Sequence, residues 1–242
     1  MKLIDESLNI EKKEQTILVI DDNPEIRSYL KDVLSESYHI ITAENGVKGF
    51  QKASAEIPDV IISDVMMPAK DGITMCKELK SQISTSHIPI ILLTARTSTV
   101  FEIEGLKTGA NDYITKPFDA KVIKARLESL LDNRDKLRAH LLNKVRFEPT
   151  QSEIEIDLNT EDTFINRAIL LVENNLDNSD FGIETMVDEL HMSRSSLFRK
   201  IKSLTGLSLY GFIRSIRLKK AAHLILVSEF KWKYAWMNVS SF

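Results

Sequence analysis

Residues 59–72 read DVIISDVMMPAKDG. A short, unbroken, β-branched apolar run leads directly into an acid, Asp64, and a strand of that composition needs cover on both faces. Working outward, four more such runs lie between Thr16 and about Arg138: TILVI (16–20), YHIITA (38–43), IPIILLT (88–94) and DYIT (112–115). Amphipathic helical stretches separate them. Five β–α units predict a doubly wound parallel five-stranded sheet, which places its chemistry at the C-terminal ends of its strands.

Those strand ends carry an unusual set of residues. Asp21 and Asp22 follow the first run, Asp64 the third, Thr94 the fourth and Lys116 the fifth. A single acid at a strand end is ordinarily a helix cap or turn former, and Asp21 alone would be read so. Three carboxylates converging on one spot repel each other unless a hard cation sits among them, and oxygen donors suit Mg²⁺. With a hydroxyl and an ammonium at the same edge, the set can hold a phosphoryl group on a carboxylate: Mg²⁺ and Lys116 neutralise its oxygens and Thr94 donates a hydrogen bond. Lys116 precedes Pro117, and an X-Pro bond can adopt cis and turn the lysine into the site.

Composition sets the outer limits. The 242 residues suffice for two domains, and 43% hydrophobic with 28% charged residues is the balance of a globular protein. The one cysteine, Cys76, excludes an internal disulfide. No apolar run reaches the length of a membrane span, and MKLIDESLNIEKKEQ lacks a signal peptide's apolar core, so a soluble, cytoplasmic chain without membrane contact is expected. The net charge of −3 hides an asymmetry: residues 192–242 hold ten Lys/Arg and one acid, the remainder a net −12. A basic end on an acidic body points to a nucleic-acid partner, or blandly to a solvated helical face.

The motifs VIDDN, SDVMMPAKDG, LLTAR and GANDYITKPF resemble the receiver domain of two-component response regulators. The resemblance implies a flavodoxin-like fold in which Asp64 accepts phosphate from a histidine kinase. Asp22, Asp64 and the Met66 backbone carbonyl would then bind Mg²⁺ directly, Asp21 through a water. Ala95 would leave room for the phosphohistidine. Thr94 and Tyr113 would form the switch, Thr94 moving toward the phosphate as the aromatic turns inward; otherwise Tyr113 is a half-buried strand tyrosine. Haloacid-dehalogenase-type phosphohydrolases use similar residues but need an aspartate two positions after the nucleophile. Met66 stands there, so no acid protonates a leaving group. The chain is therefore expected to be a phosphoacceptor with at most slow autodephosphorylation, not an enzyme that turns over.

Past the receiver, Ile123, Leu127, Leu130, Leu137 and Leu141 form an a/d seam with Arg134 at its polar position. One amphipathic helix on the sheet explains its first half, and a dimeric coiled coil beyond Asn133 is an alternative for the second. FEPTQSEIEIDLN (147–159) reads as an extended connector, and Thr160 as the N-cap of a helix burying Phe164, Ala168, Leu171 and Val172. The expected domains are a linker at 1–15, the receiver at 16–138, a connector at 139–159 and a smaller all-α helix-turn-helix domain at 160–242.

In GIETMVDELHMSRSSLFRKIKSLTG (182–206), Ile183, Met186, Val187 and Leu190 face inward, His191-Met192 breaks the run, Ser193 caps a second helix, and Leu197, Ile201 and Leu204 continue the apolar face. The second helix suits a major groove: Ser195, Ser196 and Arg199 would meet base edges, with Arg194, Lys200 and Lys202 on phosphates. A plain three-helix core is the bland alternative. A long helix follows, with Leu209, Phe212, Ile213, Ile216 and Leu224 inward. SRSSLFRKIKSLTGLS followed by FIRSIRLKKAAHLIL resembles the AraC/XylS DNA-binding domains, with Val187 and His191 where that family has Ala and Gly. The pair of resemblances implies the C-terminal part of a hybrid two-component regulator of Bacteroides-type bacteria, on the cytoplasmic side of the inner membrane, its kinase on the same or a separate polypeptide.

The last residues, FKWKYAWMNVSSF (230–242), alternate aromatics with Lys and Ala at a strand's period. The AraC resemblance would place a second helix-turn-helix there, and the expectation is a truncated domain that binds DNA weakly through one half-site. The expected function is a phosphorylation-controlled transcription regulator that dimerises on phosphorylation. The alternative is a phosphate sink or dominant-negative dimerisation module with no DNA binding of its own.

Overall fold

A computed structural model describes residues 15–95, 108–146, 160–178 and 180–239. They form two compact units, Met1–Asp135 and Lys136–Phe242.

In the first unit the apolar runs become strands β1 (Thr16–Ile20), β2 (His39–Ala43), β3 (Val60–Asp64), β4 (Ile90–Thr94) and β5 (Asp112–Thr115). All pair in parallel, in the order β2-β1-β3-β4-β5. Helices α1 (Pro24–Leu34), α2 (Gly46–Glu56), α3 (Gly72–Ser81) and α4 (Ala120–Val145) supply the cover that unbroken apolar strands require. Alternate strand residues go to opposite layers. Ile17, Val19, Ile62 and Leu93 pack with Leu30, Ile123 and Leu127, whereas Leu18, Ile61 and Leu92 pack with Met75, Cys76 and Leu79. Asp59 precedes β3 and its carboxylate accepts the Thr16 N–H at 2.8 Å, while the strand runs on to take in Asp64. Sheet order reverses around β1, which opens the crevice at the strand C-termini where such folds place ligands.

The heptad seam resolves without a coiled coil among the described residues. Ile123 and Leu127 are buried against the sheet with Leu130 packed beside them. Leu141 is buried in the core of the second unit, and Leu137 packs against it. Arg134 forms an ion pair with Asp59, Nη1 to Oδ1 at 3.2 Å, and also donates to the Pro58 and Asp59 carbonyls. The seam's apolar residues are spent on the chain's own cores. Helix α4 also carries 139–145, assigned to a connector from sequence, with Val145 fully buried; residues 147–159 lie outside the described ones.

The described elements of the second unit are helices: α5 (Thr160–Glu173), α6 (Ile183–Glu189), α7 (Arg194–Thr205) and α8 (Leu209–Val239), with the end of α4. Phe164, Ala168, Met186, Leu197, Ile201 and Phe212 are among its buried residues. His191 takes the left-handed φ of 52° that its place in the turn demands, and Ser193 caps α7 by accepting the Ser196 N–H at 3.2 Å. One expectation fails, and one periodicity does not become the element it describes. Leu224 is 58% exposed, so the inward face of α8 does not extend that far. The aromatic tail is not a strand: α8 continues through it to Val239. No glycine or proline follows Gly211, and extending a formed helix costs no nucleation, whereas a strand needs a partner. Among the described residues no helix is long and apolar enough to cross a membrane.

Candidate functional site

Local structure after β1 decides where two acids lie. Asn23 caps α1 by accepting the Glu25 N–H at 2.8 Å, with Pro24 at the helix start, so Asp21 and Asp22 occupy the tight strand-to-helix turn. Asp21 is 1% exposed, and its Oδ1 accepts the Asn23 N–H at 2.9 Å. Asp22 is exposed. On the adjacent strand β3, where Ile20 pairs with Ser63, Asp64 ends the run buried. One carboxylate oxygen from each of Asp21, Asp22 and Asp64 lies within 4.8 Å of the others.

Lys116, just past β5, reaches back across the sheet end. Its Nζ lies 2.9 Å from Asp21 Oδ2 and 2.9 Å from Asp64 Oδ1, and the Lys116–Pro117 peptide is cis. Burial raises the Asp64 carboxyl above its ordinary value, against the pull of the Lys116 hydrogen bond and charge. Burial draws the Lys116 amine down, but hydrogen bonds and charge from Asp21 and Asp64 more than offset it and leave its pKa raised. Three carboxylates against one ammonium leave two negative charges, all on hard oxygen donors. That donor set fits a divalent cation such as Mg²⁺.

Thr94, at the end of β4, lines a cavity of about 600 Å³ together with Asp22, Met66 and Thr74. The sequence-derived site residues thus come together at one edge of the sheet, and Ala95 beside Thr94 is exposed. Tyr113 is half-buried on β5, packed against the α2–α3 layer, with its hydroxyl 2.7 Å from Thr108 Oγ1. Burial raises its pKa, opposed by that hydrogen bond.

Two supporting residues escape a reading of strand ends. Gly72 donates its N–H to Val65 O at 2.9 Å, and a Cβ on it would lie 2.1 Å from the Asp64 carbonyl oxygen. A glycine eight residues after the acid is the only trace of this in the sequence. Arg27, one turn into α1, donates from Nη1 to the carbonyls of Asp21 at 2.7 Å and Asp22 at 3.0 Å. Nothing in its spacing announces that contact.

In the second unit, Ser195, Arg199 and Lys202 are exposed on α7. Ser196 is half-buried with its Oγ 2.8 Å from that of Ser193. Arg194 is exposed and paired with Glu184 at 2.7 Å. Lys200 departs from expectation: at 2% exposed it lies inside the unit, its Nζ 4.6 Å from the centre of the Phe164 ring. Its position three residues after Leu197 and one before Ile201 puts it on the apolar side of α7, so it is withdrawn from the set of phosphate-contacting residues. Phe198, half-buried, packs edge-on to exposed Tyr210 at 6.3 Å and lies 5.8 Å from the Arg194 guanidinium.

Comparison with known proteins gives this site a family. The response regulator receiver domain matches residues 17–128. A Formosa agariphila protein named histidine kinase P4 is 40% identical over 220 residues, which are 91% of this chain and 16% of that protein. A probable transcriptional regulator, ycf27, of Guillardia theta is 34% identical over 194 residues, 78% of this chain and 70% of that protein. The crystal structure of a histidine kinase's receiver domain from Syntrophus aciditrophicus is 36% identical, covering 50% of this chain and 92% of that one at a TM-score of 0.47. The chain spans 16%, 7% and 54% of the first curated relatives it matches. The match to the receiver family and the Guillardia theta relative agree with the parallel sheet and its acidic strand ends: the chain belongs to the response regulators, with a receiver domain at residues 17–128.

Proposed function

We propose that Asp64 takes a phosphoryl group from the phosphohistidine of a histidine kinase, and that this event controls a DNA-binding helix-turn-helix in the same chain. One observation carries the first half: Lys116 bridges Asp21 and Asp64 at 2.9 Å inside a three-carboxylate cluster. An Asp64 carboxylate oxygen attacks phosphorus, the P–N bond breaks, and the imidazole nitrogen leaves with the bonding pair. Lys116 neutralises charge on the phosphoryl oxygens, and Thr94 donates a hydrogen bond to one of them. Asp22, Asp64 and the Met66 carbonyl would hold Mg²⁺, with Asp21 acting through a water; the ion would supply charge neutralisation on the phosphoryl oxygens. Met66 offers no acid or base two residues past Asp64, so loss of phosphate is slow. Thr94 and Tyr113 carry the change of state.

The F. agariphila relative, aligned over 91% of this chain, is named a histidine kinase, which supports a kinase partner, on the same or another polypeptide. For the output, α6 and α7 joined at His191 with Ser195, Arg199 and Lys202 exposed support an AraC-type helix-turn-helix on promoter DNA, and homodimer formation on phosphorylation is part of this reading. Phosphorylation is tested with a small acyl phosphate donor and intact-mass detection. The wild type gains one phosphoryl group and Asp64→Asn gains none; a phosphorylated Asp64→Asn chain refutes the assignment. For DNA, Lys202→Ala, at a phosphate-contacting position, lowers the slope of log K against log salt by about 1. Lys200→Met leaves it unchanged, and equal loss from both variants counts against the interface.

A further inference from the structure

We propose that Arg27 is a positioning residue of the acidic site, holding the Asp21–Asp22 turn in the geometry that a small octahedral cation requires. This rests on the reading that the site takes Mg²⁺. Three carboxylates with oxygens within 4.8 Å of one another repel, and the turn carrying two of them needs an anchor. Lys116 anchors Asp21 and Asp64; among the described residues it makes no contact with Asp22. Asp21 has two further ties, its N–H to Ala43 O at 3.3 Å and its Oδ1 to the Asn23 N–H at 2.9 Å. Among the described residues Asp22 has only the Arg27 guanidinium, which takes its carbonyl and that of Asp21 on one nitrogen. Both carbonyls precede Asn23, the N-cap of α1. Arg27 is half-buried and rooted in that helix, so the acids inherit its rigidity.

The sign of the effect separates positioning from charge. A cation beside a metal site repels the metal, so on electrostatics alone a neutral residue at 27 tightens Mg²⁺ binding. Positioning predicts the reverse. It also predicts that Mg²⁺, which demands near-ideal octahedral geometry, suffers more than Ca²⁺, which accepts irregular coordination.

The test is calorimetric titration of the full chain with MgCl₂ and with CaCl₂ at fixed ionic strength, for wild type, Arg27→Met and Arg27→Lys, with thermal melts of each. Arg27→Met is expected to weaken Mg²⁺ binding about tenfold or more and Ca²⁺ binding less, the size of loss typical for outer-shell partners of a metal site. Arg27→Lys, with its charge kept but the planar Nη1 that meets both carbonyls lost, falls between. Unchanged or tighter Mg²⁺ binding by Arg27→Met, or equal losses for both ions, overturns the proposal. Should Arg27→Met not fold, the Mg²⁺/Ca²⁺ ratio of Arg27→Lys decides alone. A wild type that binds no Mg²⁺ fails the metal reading itself and removes the role assigned to Arg27.

Discussion

Asp64 is held in a condition that its own side chain resists. Burial favours its neutral form, Lys116 favours the charged one, and the balance leaves its pKa raised. An unfolded aspartate titrates near about 3.9. Between that value and the higher folded one, the native chain binds a proton that the unfolded chain does not. Stability from this group is therefore present below the unfolded pKa and lost as pH rises through the folded one. In metal-free buffer Asp64→Asn should gain thermal stability relative to wild type as pH rises from about 4 toward neutral; a flat or shrinking difference refutes this. Mg²⁺ at about 100 times its Kd adds roughly 2.7 kcal/mol to the wild type. Asp64→Asn should gain much less, as read by the shift of its melting midpoint. Gly72 is constrained in a simpler way. Gly72→Ala must displace the end of β3, because its Cβ meets the Asp64 carbonyl at 2.1 Å. It should cost about 1–3 kcal/mol in denaturant unfolding.

Among the elements, α4 shows why one sequence pattern admitted two readings. Ile123 and Leu127 pack on a sheet, Leu141 and Val145 pack among helices, and a heptad count along one helix reports neither partner. Arg134 occupies the polar position of that count, but its side chain is 9% exposed and serves Asp59 and two carbonyls at the N-terminal end of β3. Removing it strands a partly buried carboxylate. Arg134→Ala should cost about 3 kcal/mol or more. Arg194→Ala, in the open pair with Glu184, should cost less than about 1 kcal/mol. Comparable losses in urea melts of the two variants contradict the contrast drawn from their burial.

Taken whole, the molecule has two compact units, and the core of each ought to answer to its own mutations. Phe212 is fully buried in the second. Phe212→Ala should cost that unit about 3–5 kcal/mol, visible as faster amide exchange in α5–α8. The affinity of the acidic site for Mg²⁺ should stay at the wild-type value. A matching loss of Mg²⁺ affinity would show that the metal site depends on the second core.

The sheet, its five strands and the acids, threonine and lysine at their ends were legible because each is written locally: an apolar run that ends on a polar residue places that residue at a strand end. The capped start of α7 was legible for the same reason, since Ser193 acts on an N–H three residues away. What only tertiary structure decided concerns partners distant in sequence. Lys116 meets Asp21 across 95 residues, and Arg134 meets Asp59 across 75. Lys200 and Leu224 traded places with expectation, the lysine going inside beneath Phe164 and the leucine out to solvent. Periodicity along a helix tells which residues share a face, but only the packed neighbours determine where that face ends. The tail obeyed yet another influence. Its period of two describes a strand that has no partner there, and the helix already running from Leu209 continued through it.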